Sequence, residues 1–126
     1  MIAFFSMIGN VRSFVNEVGM ESVEIDSINT FIEVNKDFVF IVPSYDDEIT
    51  EMVSQFIDYK ENKKYLKGFV GSGNMNFGDD FCFNAKDLAK KYDRPLLMTF
   101  EVSGTTQDIA KFKEEVEKIG ITKTNN

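Results

Sequence analysis

The sequence predicts an α/β fold in three layers, a five-stranded parallel sheet of order 2-1-3-4-5 with helices on both faces. Three observations carry this. Five short apolar runs recur along the 126 residues, most of them followed by a helical pattern. The strongest, Phe38–Val42, is five apolar residues in a row, as a strand covered on both faces requires. The segments after strands are rich in Gly, Ser, Asn and aromatic residues, whereas the opposite connections, such as Tyr59–Lys64 and Asp93–Arg94, are charged and plain. Alternating strands and helices imply parallel pairing through crossover connections.

The first strand is Ile2 to Phe5, which stops at the polar loop Ser6–Asn10. Val11, Phe14, Val15 and Val18 then mark one face of a helix. Val23–Ile25 is a short, weak strand, and Asn29–Lys36 reads as a loop with a few apolar anchors. Pro43 ends the third strand, and Ser44–Glu48 is the loop after it. Ile49, Met52, Val53, Phe56 and Ile57 line the next helix, with Asp46, Asp47 and Glu48 suited to its positive end. Tyr65–Gly71 is the fourth strand, opening into the long loop Ser72–Asp80. Phe81, Ala85, Leu88, Ala89 and Tyr92 give a helix face, and Leu96–Phe100 a fifth strand with Pro95 at its start. Ser103–Asp108 is a turn and helix cap before the stripe Ile109, Phe112, Val116 and Ile119. Residues 122–126 read as a frayed polar tail. One flavodoxin-like domain over 1–126 accommodates these elements, with its ligand edge at the carboxyl ends of the strands, where strand order reverses.

Composition narrows the function. Lys plus Arg number 14 and Asp plus Glu 21, a net charge of −7, which argues against nucleic acid and against anionic membrane surfaces. No apolar run approaches the roughly 20 residues that span a bilayer, and no signal peptide is read. The single cysteine, Cys82, excludes an internal disulfide and fits a reducing cytoplasm. The absence of histidine removes His-based triads and most zinc sites. With 13 phenylalanines and no tryptophan, the core is expected to be phenylalanine-rich.

The ligand-edge loops offer donors rather than cations. Ser6, Gly9 and Asn10 before a helix N-terminus suit a phosphate monoester held by backbone dipoles; an ordinary turn with Asn10 as N-cap is the plainer alternative. Arg12 reads as a solvated helix-surface residue, and the Gly-Lys-Ser/Thr of a nucleotide-hydrolysing P-loop is missing. Tyr45 and Phe77 can stack on a flat heterocycle or anchor their loops. Gly71, Gly73 and Gly78 allow close backbone approach to a ring edge. Cys82 reads as a small buried hydrophobe rather than a reactive thiol, Met75 as a surface contact, and Asp79 with Asp80 as no metal pair.

Three stretches, Ser6-Met7-Ile8-Gly9-Asn10-Val11-Arg12-Ser13-Phe14, Gly71-Ser72-Gly73-Asn74-Met75-Asn76-Phe77-Gly78-Asp79-Asp80-Phe81 and Phe100-Glu101-Val102-Ser103-Gly104-Thr105, resemble the NrdI family. These are small flavodoxin-like proteins of class Ib ribonucleotide reductase systems, and the similarity runs over essentially the whole chain. The resemblance implies a bound FMN. Ser6, Met7, Ile8, Gly9, Asn10 and Val11 would surround its phosphate. Ser44, Tyr45 and Asp46 would border the ring, and Ser72, Gly73, Asn74, Asn76, Phe77, Gly78 and Asp79 would cover it. No side chain is expected to be catalytic, because the flavin carries the chemistry. The implied function is that of an accessory flavoprotein. Reduced, it activates dioxygen and delivers the oxidant, taken as superoxide, to the small reductase subunit NrdF for assembly of its radical cofactor. An electron donor is a further implied partner.

Two departures bear on this. Ile8 stands where the family usually has Thr, which removes a hydroxyl from the phosphate loop. The Tyr45–Ile49 segment is short and acidic where relatives carry a glycine-containing insertion. The acids Asp46, Asp47 and Glu48 would oppose an anionic reduced flavin, and they also cap the helix. Two other classes therefore stand beside the first: a general electron-transfer flavodoxin, and a binding module that has lost FMN.

Overall fold

In the computed structural model, which describes residues 1–6, 9–45, 47–74 and 82–121, the strands β1 (Ile2–Phe5) and β3 (Phe38–Pro43) lie side by side at the centre of the sheet. Every residue of both is buried, which explains their unbroken apolar sequence. The edge strand β2 (Ser22–Ile25) buries only Ile25 fully and shows the weakest sequence signal. With β4 (Leu66–Gly73) and β5 (Leu96–Glu101) the sheet is parallel throughout, in the expected order β2-β1-β3-β4-β5.

Side chains alternate between the two faces of the sheet. Ala3, Phe5, Phe38, Phe40 and Val42 pack with α2 (Asp47–Asp58) and α4 (Phe83–Tyr92). Ile2, Phe4, Val39 and Ile41 pack with α1 (Asn10–Val18) and α5 (Thr106–Lys118). The core is phenylalanine-rich, as composition predicted: Phe14 stacks on Phe100 at 4.0 Å between ring centroids, and Phe56 meets Phe38 and Phe40 edge-on at 5.7 and 5.6 Å.

Several boundaries differ from the sequence reading. β4 runs on through Gly73, so Ser72 and Gly73 belong to the strand and not to the loop after it. Gly9 is the N-cap of α1, in the left-handed region at φ 92°, and Asn10 is the first helical residue rather than the cap. The Tyr59–Lys64 connection is not plain. It contains the single-turn helix α3 (Asn62–Tyr65), so Tyr65 is helical rather than part of the strand, and it centres on a fully buried Asn62. The Asn62 amide accepts from Val34 N and donates to the carbonyls of Ile32 and Phe56, all at 2.8 Å. These bonds hold the β2–β3 connection, which has no helix among its residues, along the flank of α2. The last helix begins as expected: Thr105 and Asp108 form a reciprocal capping box, with bonds of 3.1 and 2.8 Å.

Candidate functional site

The carboxyl ends of β1, β3, β4 and β5 bring four segments to one edge of the sheet. The first is the turn into α1. Ser6 Oγ accepts from the backbone N–H of Gly9 at 3.2 Å and of Arg12 at 3.3 Å. Ser13 N is bonded to Gly9 O at 2.9 Å, the start of the helical ladder. Asn10 and Val11 are left with helix N-terminal N–H groups that have no partner among the described residues. Asn10 Oδ1 accepts from the Ser103 hydroxyl at 3.1 Å, which ties this turn to the β5–α5 turn and leaves the Asn10 Nδ2 group as a donor. Two orphan N–H groups, a carboxamide donor and the positive end of α1 form a donor set that fits a phosphate monoester.

Arg12 is not simply solvated. Its guanidinium grips Glu24 of β2 at two points, Nε to Oε1 at 2.9 Å and Nη2 to Oε2 at 2.5 Å. The side chains remain 50% and 30% exposed, so the pair contributes little to stability but fixes a cation beside the first turn.

The second segment follows β3. Ser44 N and Oγ both donate to Ser72 O, at 2.8 and 2.9 Å, and Tyr45 N donates to Asn84 Oδ1 at 2.9 Å. Tyr45 is 62% exposed, so it does not pack in the core. Asp47 and Glu48 occupy the first turn of α2, at its positive end. The third segment is the end of β4. Ser72 is buried and its hydroxyl donates to Val102 O at 3.0 Å, while Val102 N donates to Gly73 O at 2.9 Å. Gly73 is half-buried, and Asn74, the last residue described before α4 approaches, is exposed. Val102 itself is 47% exposed with φ 58°, a left-handed conformation rare for a β-branched residue.

The structure thus brings Ser6, Gly9, Asn10, Val11, Ser44, Tyr45, Ser72, Gly73 and Asn74 to one edge. Of these, Val11 turns its side chain into the core, so its contribution to the edge is backbone alone. Met7, Ile8, Asp46, Asn76, Phe77, Gly78 and Asp79, together with Met75, Asp80 and Phe81, lie outside the described residues. Cys82 is fully buried at the N-cap of α4, and burial pushes its thiol up to about 11, with the Ser44 hydroxyl and the Lys86 charge acting in the opposite direction. It is a packing residue rather than a nucleophile. No group of three or more acidic, Cys or His side chains able to hold a metal occurs among the described residues, and no helix there is long and apolar enough to cross a membrane.

Sequence reasoning missed Glu24 and Asn84. Glu24 carried no signal beyond its charge. Asn84 did: it stands four residues before Leu88 and next to Ala85, a polar residue on the core face of α4.

A protein-family model described as NrdI flavodoxin-like matches residues 2–114. The chain is 32% identical to Protein NrdI of Wigglesworthia glossinidia brevipalpis, over 94% of this chain and 88% of that one. Protein NrdI of Bartonella bacilliformis is also 32% identical, with 94% and 95% covered. Among solved structures, a short-chain flavodoxin associated with a bacterial microcompartment superposes with a TM-score of 0.56 at 17% identity, covering 94% and 93% of the two chains, a likeness of fold.

Proposed function

The chain belongs to the NrdI flavodoxin-like family, whose cofactor is FMN, and on that premise we propose that it is a cytoplasmic FMN redox protein serving a class Ib ribonucleotide reductase. In this reading it activates dioxygen for the NrdF subunit. The flavin, when bound and reduced, supplies an electron that converts dioxygen to superoxide. The protein's own residues bind and orient. Asn10 and Val11 N–H groups and the Asn10 amide take the phosphate, with Ser6 bracing the turn through Gly9 and Arg12. Tyr45 would border the ring after β3, with Ser72, Gly73 and Asn74 at the end of β4 beside it, and the family resemblance assigns Asn76, Phe77, Gly78 and Asp79, outside the described residues, to the same ring. Ile8 offers no hydroxyl, so phosphate binding rests on backbone donors and Asn10.

The partner meets the same edge, because an oxidant made at the flavin must leave it directly into the partner. The exposed Tyr45 and Val102 side chains there give that contact apolar surface. The observation that carries the reading is the family match over residues 2–114 together with the orphan donors at the phosphate turn. The test mixes photoreduced, FMN-loaded protein with oxygenated buffer, with and without metal-loaded small subunit. A superoxide trap and tyrosyl-radical signal are read together. Rapid reoxidation with trapped superoxide, and radical formed only when both proteins are present, is the expected result. Slow reoxidation with electrons passed to a redox protein instead would favour the general electron-transfer flavodoxin. Protein that takes up no FMN would favour the flavin-free module.

A further inference from the structure

We infer that Asn84 is a positioning residue for the ring-flanking segment Pro43–Tyr45, holding its backbone inward so that the segment serves a flavin as a wall and not as a hydrogen-bond donor; as a statement about flavin this rests on the FMN reading above. Asn84 is 0% exposed in the first turn of α4, in the layer shared with α2. Its Oδ1 accepts from Tyr45 N at 2.9 Å and its Nδ2 donates to Thr50 Oγ1 at 3.0 Å. One carboxamide therefore joins three elements: α4, the segment after β3 and the first turn of α2. A buried amide satisfied on both sides fixes its neighbours, because releasing either partner strands a polar group without water.

The donor accounting gives the consequence. Pro43 has no N–H. Ser44 spends both its N–H and its hydroxyl on Ser72 O. Tyr45 spends its N–H on Asn84. From 43 to 45 no backbone donor remains for the polar edge of a flavin, and the segment presents the exposed Tyr45 instead. Donors to the ring edge must come from other segments, and the 43–45 backbone cannot turn over between redox states without breaking the Asn84 bond.

The test compares the parent with Asn84→Leu, which is close in volume and lacks both bonds, and with Asn84→Asp. Aspartate can accept from Tyr45 N–H and from a reoriented Thr50 hydroxyl. Three quantities are read: exchange of the Tyr45 amide hydrogen in flavin-free protein, riboflavin affinity, and the midpoint potential of bound flavin. In Asn84→Leu, loss of the buried bond speeds Tyr45 exchange and weakens riboflavin binding, each by about tenfold. The potential shifts as well, because a loosened segment lets backbone donors reach the ring. Asn84→Asp restores amide protection and affinity to within about threefold of the parent. A folded Asn84→Leu protein with unchanged Tyr45 exchange, or with unchanged riboflavin affinity and potential, overturns the inference. If Asn84→Leu does not fold, loss of Tyr45 protection in Asn84→Asp overturns it and retained protection supports it. A parent that binds no flavin overturns the FMN reading and not the clamp, which the exchange measurement still decides.

Discussion

Replacing Gly104 by Ala places a methyl group where the fold has no room for one. The residue lies in the β5–α5 turn at φ 78°, bonded through its N–H to Glu101 O at 2.9 Å. A Cβ there would sit 2.7 Å from Phe14 Cδ2, 3.0 Å from Phe14 Cε2 and 3.3 Å from Phe100 Cδ2. Phe14 cannot swing aside: it is 0% exposed, stacked within 9° of parallel on Phe100, and met edge-on by Phe112 at 5.6 Å. The left-handed backbone costs an L-residue roughly 1–2 kcal/mol. Overpacking a closed aromatic cluster adds roughly 1–3 kcal/mol. A loss of about 2–5 kcal/mol follows, a large share of the roughly 5–15 kcal/mol that holds a domain together. Urea unfolding should show a lower midpoint with an unchanged slope. FMN binding should weaken too, because the adjacent Ser103 hydroxyl braces Asn10 from this turn. A midpoint shift worth less than about 0.5 kcal/mol would refute the packing argument, since that is the range of an ordinary surface substitution.

Asn62→Ala removes two bonds to the β2–β3 connection, at Val34 and Ile32, and one to Phe56 of α2, and should cost roughly 3–5 kcal/mol in chemical denaturation, below the simple sum because the bonds share one site. Thr105→Ala removes half of the capping box and should cost about 1 kcal/mol, read the same way. The Cys82 thiol, pushed from 9.0 to about 11 by burial, favours the neutral form in the folded state. Its contribution, on the order of 2 kcal/mol, is full below pH 9 and lost as pH rises from 9 to 11. Tyr92, raised to about 12, adds its own loss at higher pH, so the quantity to compare is the pH profile of the parent against Cys82→Ala, whose profile should be flatter between pH 9 and 11. For the same reason Cys82 should resist alkylation at pH 8 in the folded protein.

Strand order and the layer assignment were legible because burial on two faces leaves no alternative to an unbroken apolar run, and Phe38–Val42 is such a run. That the segments after β1, β3, β4 and β5 meet at one edge was legible because strand order follows from the alternation of elements, and the polar and glycine residues cluster in those segments. What escaped the sequence was pairing. Ser72 and Gly73 read as loop from composition, yet strand pairing of Ser72 with Pro43 and Phe100 carries the ladder past the apolar run. Gly9 takes the cap because the turn needs a positive φ there, so Asn10 moves one place into the helix and its side chain goes to Ser103. Arg12 looked like a surface charge because its partner, Glu24, lies twelve residues on and in a different element. Asn62 and Asn84, both fully buried, hold backbone that propensity alone cannot place.

The central claim is that this edge binds FMN through its phosphate, and equilibrium titration of the flavin-free protein with FMN and with riboflavin tests it most directly. The Asn10 and Val11 N–H groups, without a partner among the described residues, would give charge-assisted bonds to a phosphate, so on this account FMN should bind more tightly than riboflavin by at least about tenfold. Asn10→Ala should narrow that gap without altering the affinity for riboflavin. Equal affinity for the two flavins, or no binding of either, would contradict the account.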